Sequence, residues 1–151
     1  VVAAARIRCN VRRVTHKSGK IAARVARFAG QELDARYLGY FDCFNQEQFY
    51  EAHDVLEDLW LLDRQGAEGD FYKALIQLAG AFVHLQKGRV QPSIALLKLS
   101  RSYLSRYPSL HHRLDLEAVQ QMALDWAARL ARLPSDSEPA TWNYPKLKLI
   151  A

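Results

Sequence analysis

Phe44–Trp60, FNQEQFYEAHDVLEDLW, and Asp70–Gly88, DFYKALIQLAGAFVHLQKG, read as two facing helices. Asn45 sits at an N-cap position, with Gln48 placed to complete a capping box. Phe44 and Phe49 flank that cap as a hydrophobic staple. The spacing predicts a helix over Phe49–Asp63. Arg64–Gly69 holds two glycines and reads as a loop. Asp70 is placed to cap the second helix, Phe71–Lys87. Gly88 stops it, because glycine enters the left-handed conformation without a Cβ clash.

The same signals extend outward. Asp34 is placed to cap Ala35–Phe44, with Leu33 and Leu38 as another staple. Pro92 suits the first turn of a helix running to Tyr107, before Pro108. Asp115 opens a helix to about Leu133, ended by Pro134, in which Val119, Met122, Trp126, Leu130 and Leu133 keep helical spacing. Ser135–Ala151 reads as an irregular tail, with Trp142 and Tyr144 as anchors onto the body. No alternating strand pattern persists, and no solenoid repeat is visible. The expected fold is all-α, a compact antiparallel helical bundle or array of about five helices. Residues 32–134 form the helical domain, 1–31 a basic extension and 135–151 the C-terminal tail.

Composition bounds the class. The 151 residues fit one domain, and 50% are hydrophobic, enough for a sizeable core. No apolar run reaches the ~18 residues of a membrane-spanning helix. Cys9 and Cys43 lie far apart and outside any CxxC pair, which argues against a disulfide scaffold and for a reducing compartment. The net charge of +5 is uneven. Residues 1–31 carry eight of the 21 basic residues and none of the 16 acids, which leaves the rest, with 13 basic residues, at net −3. That segment reads as a basic arm for nucleic acid or anionic lipid, as a transit-like leader, or as a solvated extension with a short helix, Lys20–Ala29. The solvated extension is the reading adopted. The implied location is cytoplasmic, or organellar if the leader is a transit peptide. With no methionine before Met122, either the start codon is unusual or the chain is trimmed.

At 100° per residue, Phe49, Ala52, His53, Leu56 and Trp60 gather on one face of the first central helix. Glu57 lies one turn beyond His53, while Glu51, Asp54 and Asp58 fall on the opposite side. The second central helix is apolar over most of its circumference. One stripe is Phe71, Leu75, Leu78, Phe82 and Leu85, and another is Tyr72, Ile76, Ala79 and Val83. A narrow polar line, Lys73, Gln77 and His84, interrupts it, with Gly80 and Ala81 between. A buried polar group left unpaired costs about 1–3 kcal/mol, so the two polar interruptions are expected to meet. The candidate site is therefore His53, Glu57, Gln77 and His84, with Lys73, Trp60 and Asp54 as neighbours. Two functions fit these residue types. His53, Glu57 and His84 form a two-histidine, one-carboxylate set for a divalent metal. Alternatively the four groups make a structural hydrogen-bond cluster that sets helix register. His111–His112 are two adjacent imidazoles that can bind metal, and read as an exposed loop pair without a role. Trp60, Tyr103 and Tyr107 read as packing residues. No Ser/His/Asp, Cys/His or Gly-rich phosphate motif is present.

The two quoted motifs resemble the Domain of Unknown Function 309 family. Its pattern is a Phe-Asn corner, a Glu-Ala-His-acid helix followed by Leu-Glu and Trp, then a Leu-Ile-Gln-Leu-Ala helix ending near a histidine. Glu51, Ala52, His53, Leu56, Glu57 and Trp60 match the first part. Leu75, Ile76, Gln77, Leu78, Ala79 and His84 match the second. The resemblance covers about Asp34–Leu133 and implies a compact helical domain with no activity to carry over. Asp54 departs from the family's usual glutamate, and Gly88 from a frequent asparagine.

Three functions follow as expectations. The first is a non-enzymatic module that binds a protein or small ligand in the groove between its helices. The second is a metal-binding or metal-dependent hydrolase-like bundle using His53, Glu57 and His84. The third is a nucleic-acid-associated protein acting through residues 1–31 alone. No cofactor is evident beyond a divalent metal.

Overall fold

The computed structural model describes residues 16–134 and 141–151. Arg6, Arg8, Cys9, Arg12 and Arg13 of the basic segment, and residues 135–140 of the tail, lie outside the described residues. Among the described residues six α-helices follow in order: α1 His16–Val25, α2 Ala35–Asn45, α3 Phe49–Trp60, α4 Gly69–Gln86, α5 Val90–Leu104 and α6 Leu116–Ala131. Each packs on the next along the chain, as short connections between amphipathic helices dictate. The fold is all-α apart from a hairpin of two two-residue strands, β1 Leu110–His111 and β2 Leu114–Asp115.

The basic segment departs from a solvated extension. Its helix begins earlier than expected, at His16, and a 3-10 turn, Ala26–Phe28, follows it. Ile21 and Val25, one turn apart, are buried against the body. The approach is close enough that a Cβ on Gly39 of α2 would sit 2.5 Å from Val25 Cγ1. Arg27 pairs with Asp42, and Arg24 reaches Gln48.

Local chemistry explains most helix ends. The Asp34 carboxylate caps α2 by accepting from the Arg36 amide at 2.8 Å, and Asp115 caps α6 through the Ala118 amide at 3.1 Å. Gly88 takes φ +71° after α4. The Gly88 and Arg89 amides then donate to the Leu85 and His84 carbonyls, closing a Schellman stop.

Two expected caps differ. Asn45 is the last residue of α2, and Gln48 takes the N-cap position of α3 without a side-chain capping bond. The Asn45 amide instead holds the tail, donating to the Leu147 carbonyl and accepting from the Leu147 amide, each at 2.7 Å. Asp70 lies inside α4 and pairs with Arg106 at 2.8 Å. The Tyr107 hydroxyl does the capping there. It accepts from the Phe71 amide at 2.9 Å and donates to the Ala67 carbonyl at 2.8 Å. Helix α5 accordingly ends at Leu104, short of Tyr107, which leaves that ring free to turn back.

Helix α4 is the spine. Phe71, Leu75, Leu78, Phe82 and Leu85 are all buried. Tyr40 of α2, fully buried, donates to the Leu75 carbonyl at 2.6 Å, and burial holds its hydroxyl neutral by pushing its pKa well up. Ser100 of α5 donates to the Ala74 carbonyl at 2.7 Å. The tail covers the far end, as the anchor reading expects. Tyr144 stacks on Trp126 and meets Phe49 edge-on at 5.1 Å, and Trp142 lies 5.7 Å from Trp126.

Candidate functional groove between α3, α4 and α5

The polar line of α4 does not face the core. Gln77, Gly80 and His84 fall on its half-buried side with Ile76 and Val83, and the exposed Lys87 follows at its end. Together with Tyr50 and His53 of α3 and Leu96 of α5, they line an open groove of about 300 Å³. Gly80 sets its floor, where an added Cβ would meet Leu96 Cδ1 at 3.3 Å. The walls are therefore largely apolar, with an imidazole at each side and an amide between.

Three of the four expected residues, His53, Gln77 and His84, thus share one groove. The fourth, Glu57, is not among its lining residues. Its Oε2 lies 3.5 Å from His53 Nδ1, the contact expected one helical turn apart. His53 itself stands at the edge of the apolar face. The buried residues of α3 are Phe49, Ala52, Val55 and Leu56. Val55, which packs toward α2, shifts the centre of that face away from His53 and leaves its ring a third exposed.

The expected metal set changes composition. The ligand atoms that lie within 4.8 Å of one another on α3 belong to His53, Asp54 and Glu57, and His84 is not one of them. Asp54, expected on the opposite side, turns its Oδ1 to 3.3 Å from His53 Nδ1. Periodicity places Cα positions and is blind to the χ angles that bring adjacent side chains together.

The structural cluster is not closed either. Gln77 Oε1 and His84 Nδ1 are shielded from water, and neither has a hydrogen-bond partner. Lys73 turns away to α5, where its ammonium donates to the Tyr103 hydroxyl at 3.2 Å and lies 4.9 Å from that ring's centre. Trp60 is half-buried with its indole N–H unpartnered. Two residues read as packing groups do more than pack. Tyr103 holds Lys73, and Tyr107 caps α4. His111 and His112 lie away from the groove and converge on Glu68.

Comparison with known sequences agrees with the motifs. Residues 37–99 match the family model described as Domain of unknown function (DUF309). The matched stretch runs from α2 into α5, narrower than the Asp34–Leu133 span of the resemblance, and the description names no activity. No curated protein and no solved structure matches the chain. Among the described residues no helix is long and apolar enough to cross a membrane.

Proposed function

We propose that this protein is a non-enzymatic binding module whose groove takes a small amphipathic molecule with a hydroxyl at its polar end. One observation carries the reading. Two shielded polar atoms, Gln77 Oε1 and His84 Nδ1, lack partners in residues that line a largely apolar groove. Such atoms cost about 1–3 kcal/mol each when left unpaired. A hydroxyl can donate its one proton to the Gln77 carbonyl oxygen, or to His84 Nδ1 where that nitrogen is unprotonated, and can accept from Nδ1–H in the other tautomer. The groove's size stands at the lower end of small-molecule sites, which run from about 300 Å³.

The probe is 1-hexanol, titrated into the full chain and followed by amide NMR. Saturable shifts are expected at Gly80, Val83 and His84. The Gln77→Leu variant removes an unpartnered acceptor, so it should fold at least as stably as the parent while binding hexanol more weakly. Shifts that stay linear, or a variant that binds equally well, would refute the reading.

A second reading rests on the convergence of His53, Asp54 and Glu57, whose ligand atoms suit a divalent cation at the groove's rim. Metal analysis of the His112→Gly variant purified without chelator tests it, with a metal content unchanged by adding His53→Ala as the contrary result. The nucleic-acid reading rests on the sequence of residues 1–31 alone. Of that segment's described cations, Arg24 and Arg27 already contact the body.

A further inference from the structure

Glu68, His111 and His112 are brought together from two separate parts of the chain. Glu68 immediately precedes α4, and the histidines straddle the end of β1 and the turn into β2. His111 Nε2 lies 2.7 Å and His112 Nε2 3.0 Å from the same carboxylate oxygen, Glu68 Oε2. All three side chains are partly buried, at 19%, 33% and 36% exposure.

The backbone is bent to make this possible. Successive residues of an extended strand point to opposite faces, so two adjacent histidines should diverge. Here His112 and Arg113 form the two-residue turn with φ +45° and +62°. That turn type is normally built from Asn-Gly or similar pairs, because a side chain at positive φ is strained. The strain folds the His112 ring back until its centroid is 4.4 Å from that of His111. The arrangement is braced from below. Tyr37 donates to the His112 carbonyl at 2.9 Å, and Phe71 meets the His111 ring edge-on at 4.8 Å.

An ordinary hydrogen bond accounts for His111, at 2.7 Å from Glu68 Oε2, but not for His112. A carboxylate oxygen can accept from two imidazoles, but both N–H groups must then aim at it. His112 Nε2 is close to Oε2, yet it is buried without a hydrogen-bond partner. The three lone-pair-bearing atoms are drawn together with nothing directed between two of them. With metal–ligand bonds of about 2.0–2.1 Å, neighbouring ligand atoms sit roughly 2.9–3.4 Å apart. The 3.0 Å spacing of His112 from Glu68 falls in that range, the 2.7 Å spacing of His111 lies just below it, and all the ligand atoms lie within 4.8 Å of one another.

We infer that Glu68, His111 and His112 form a binding site for a borderline divalent transition-metal ion such as Zn²⁺. Two imidazole nitrogens and one carboxylate oxygen are the ligand set for such ions, and the partial exposure leaves room for water to complete the shell. The site ties the β1–β2 hairpin to the start of α4. It is independent of the groove, since Gln77 stands nine residues along α4 from Glu68, roughly 13 Å.

The test is calorimetric titration of Zn²⁺ into the chelator-stripped full chain, with Co²⁺ absorption as a second readout. One equivalent is expected to bind with affinity falling as pH drops, because protons compete for the imidazoles. His112→Gly keeps the turn and removes a ligand. It should melt no lower than the parent without metal, and bind Zn²⁺ at least tenfold more weakly. Glu68→Gln should weaken binding similarly, and His53→Ala should leave this site's binding intact. Absence of Zn²⁺ binding, unchanged affinity in His112→Gly, or loss confined to His53→Ala would each overturn the assignment.

Discussion

Asp34 serves two purposes with one carboxylate. It caps α2, and it grips the Arg36 guanidinium through Nε at 3.0 Å and Nη2 at 2.9 Å. Arg36 in turn donates to Asp58 of α3 at 3.0 Å. The Arg36 hydrogen bonds hold the Asp34 carboxyl below its usual pKa, against the opposing pull of burial. A depressed pKa in the folded state stabilises above the unfolded value and is lost as pH falls through the folded one. Asp34→Asn keeps a capping oxygen and discards the charge, so it isolates that contribution. Urea melts should show the variant less stable than the parent at pH 7. The gap should shrink below about pH 4, the ordinary range of the side chain. Asp34, Asp115 and Gly88 were legible because a cap acts within three or four residues of itself. The partners of Asn45 and His112 were not, because Leu147 and Glu68 lie far away in sequence.

Helix α1 shows what a missing methyl group permits. Gly39 lies inside α2, where alanine would ordinarily add about 0.5–1 kcal/mol of helix stability. Here the new Cβ would be 2.5 Å from Val25 Cγ1 and 3.4 Å from Val55 Cγ1. Val25 is β-branched and stiff, so relief must come from moving α1 as a whole. Gly39→Ala is expected to destabilise by roughly 1–3 kcal/mol, reversing the usual sign. Adding Val25→Ala should recover part of the loss, a coupling that denaturation of the double mutant would read directly. A basic, acid-free stretch gives little hint of such docking, since its buried side chains among the described residues are Ile21 and Val25. Conversely, the central helices were readable at element level because apolar stripes at 3.6-residue spacing leave few other choices. The β1–β2 hairpin was invisible, because His-Arg lacks the Asn-Gly chemistry that announces such a turn.

Across the whole molecule, neighbouring helices pack in sequence order, and the tail reaches back over the array. Asn45 holds Leu147, and Arg113 and Ile150 exchange two hydrogen bonds at 2.7 and 2.8 Å. Ahead of these clips in the chain, Trp142 and Tyr144 cover Trp126, Phe49 and Phe82. Asn45→Ala removes both bonds to Leu147 and should cost about 1–3 kcal/mol. Hydrogen exchange should quicken at Leu147, and near-ultraviolet dichroism from the Trp126–Tyr144 stack should weaken, while far-ultraviolet helicity holds. The anchoring role of Trp142 and Tyr144 was readable from aromatic residues in a polar tail. The groove was only half readable, since it needs the tilt of α5 to bring Leu96 opposite Gly80.

The strap formed by the tail has a consequence for synthesis on the ribosome. Contacts between successive helices can form as each emerges, because they span short loops and close quickly. The aromatic cluster at Phe49, Phe82 and Trp126 waits for residues 142–147, about a hundred positions after Asn45. During that interval the nascent chain carries assembled helices with an uncovered aromatic patch. This is the stage at which a chaperone that recognises exposed rings would find it, and at which two nascent copies are most prone to stick together.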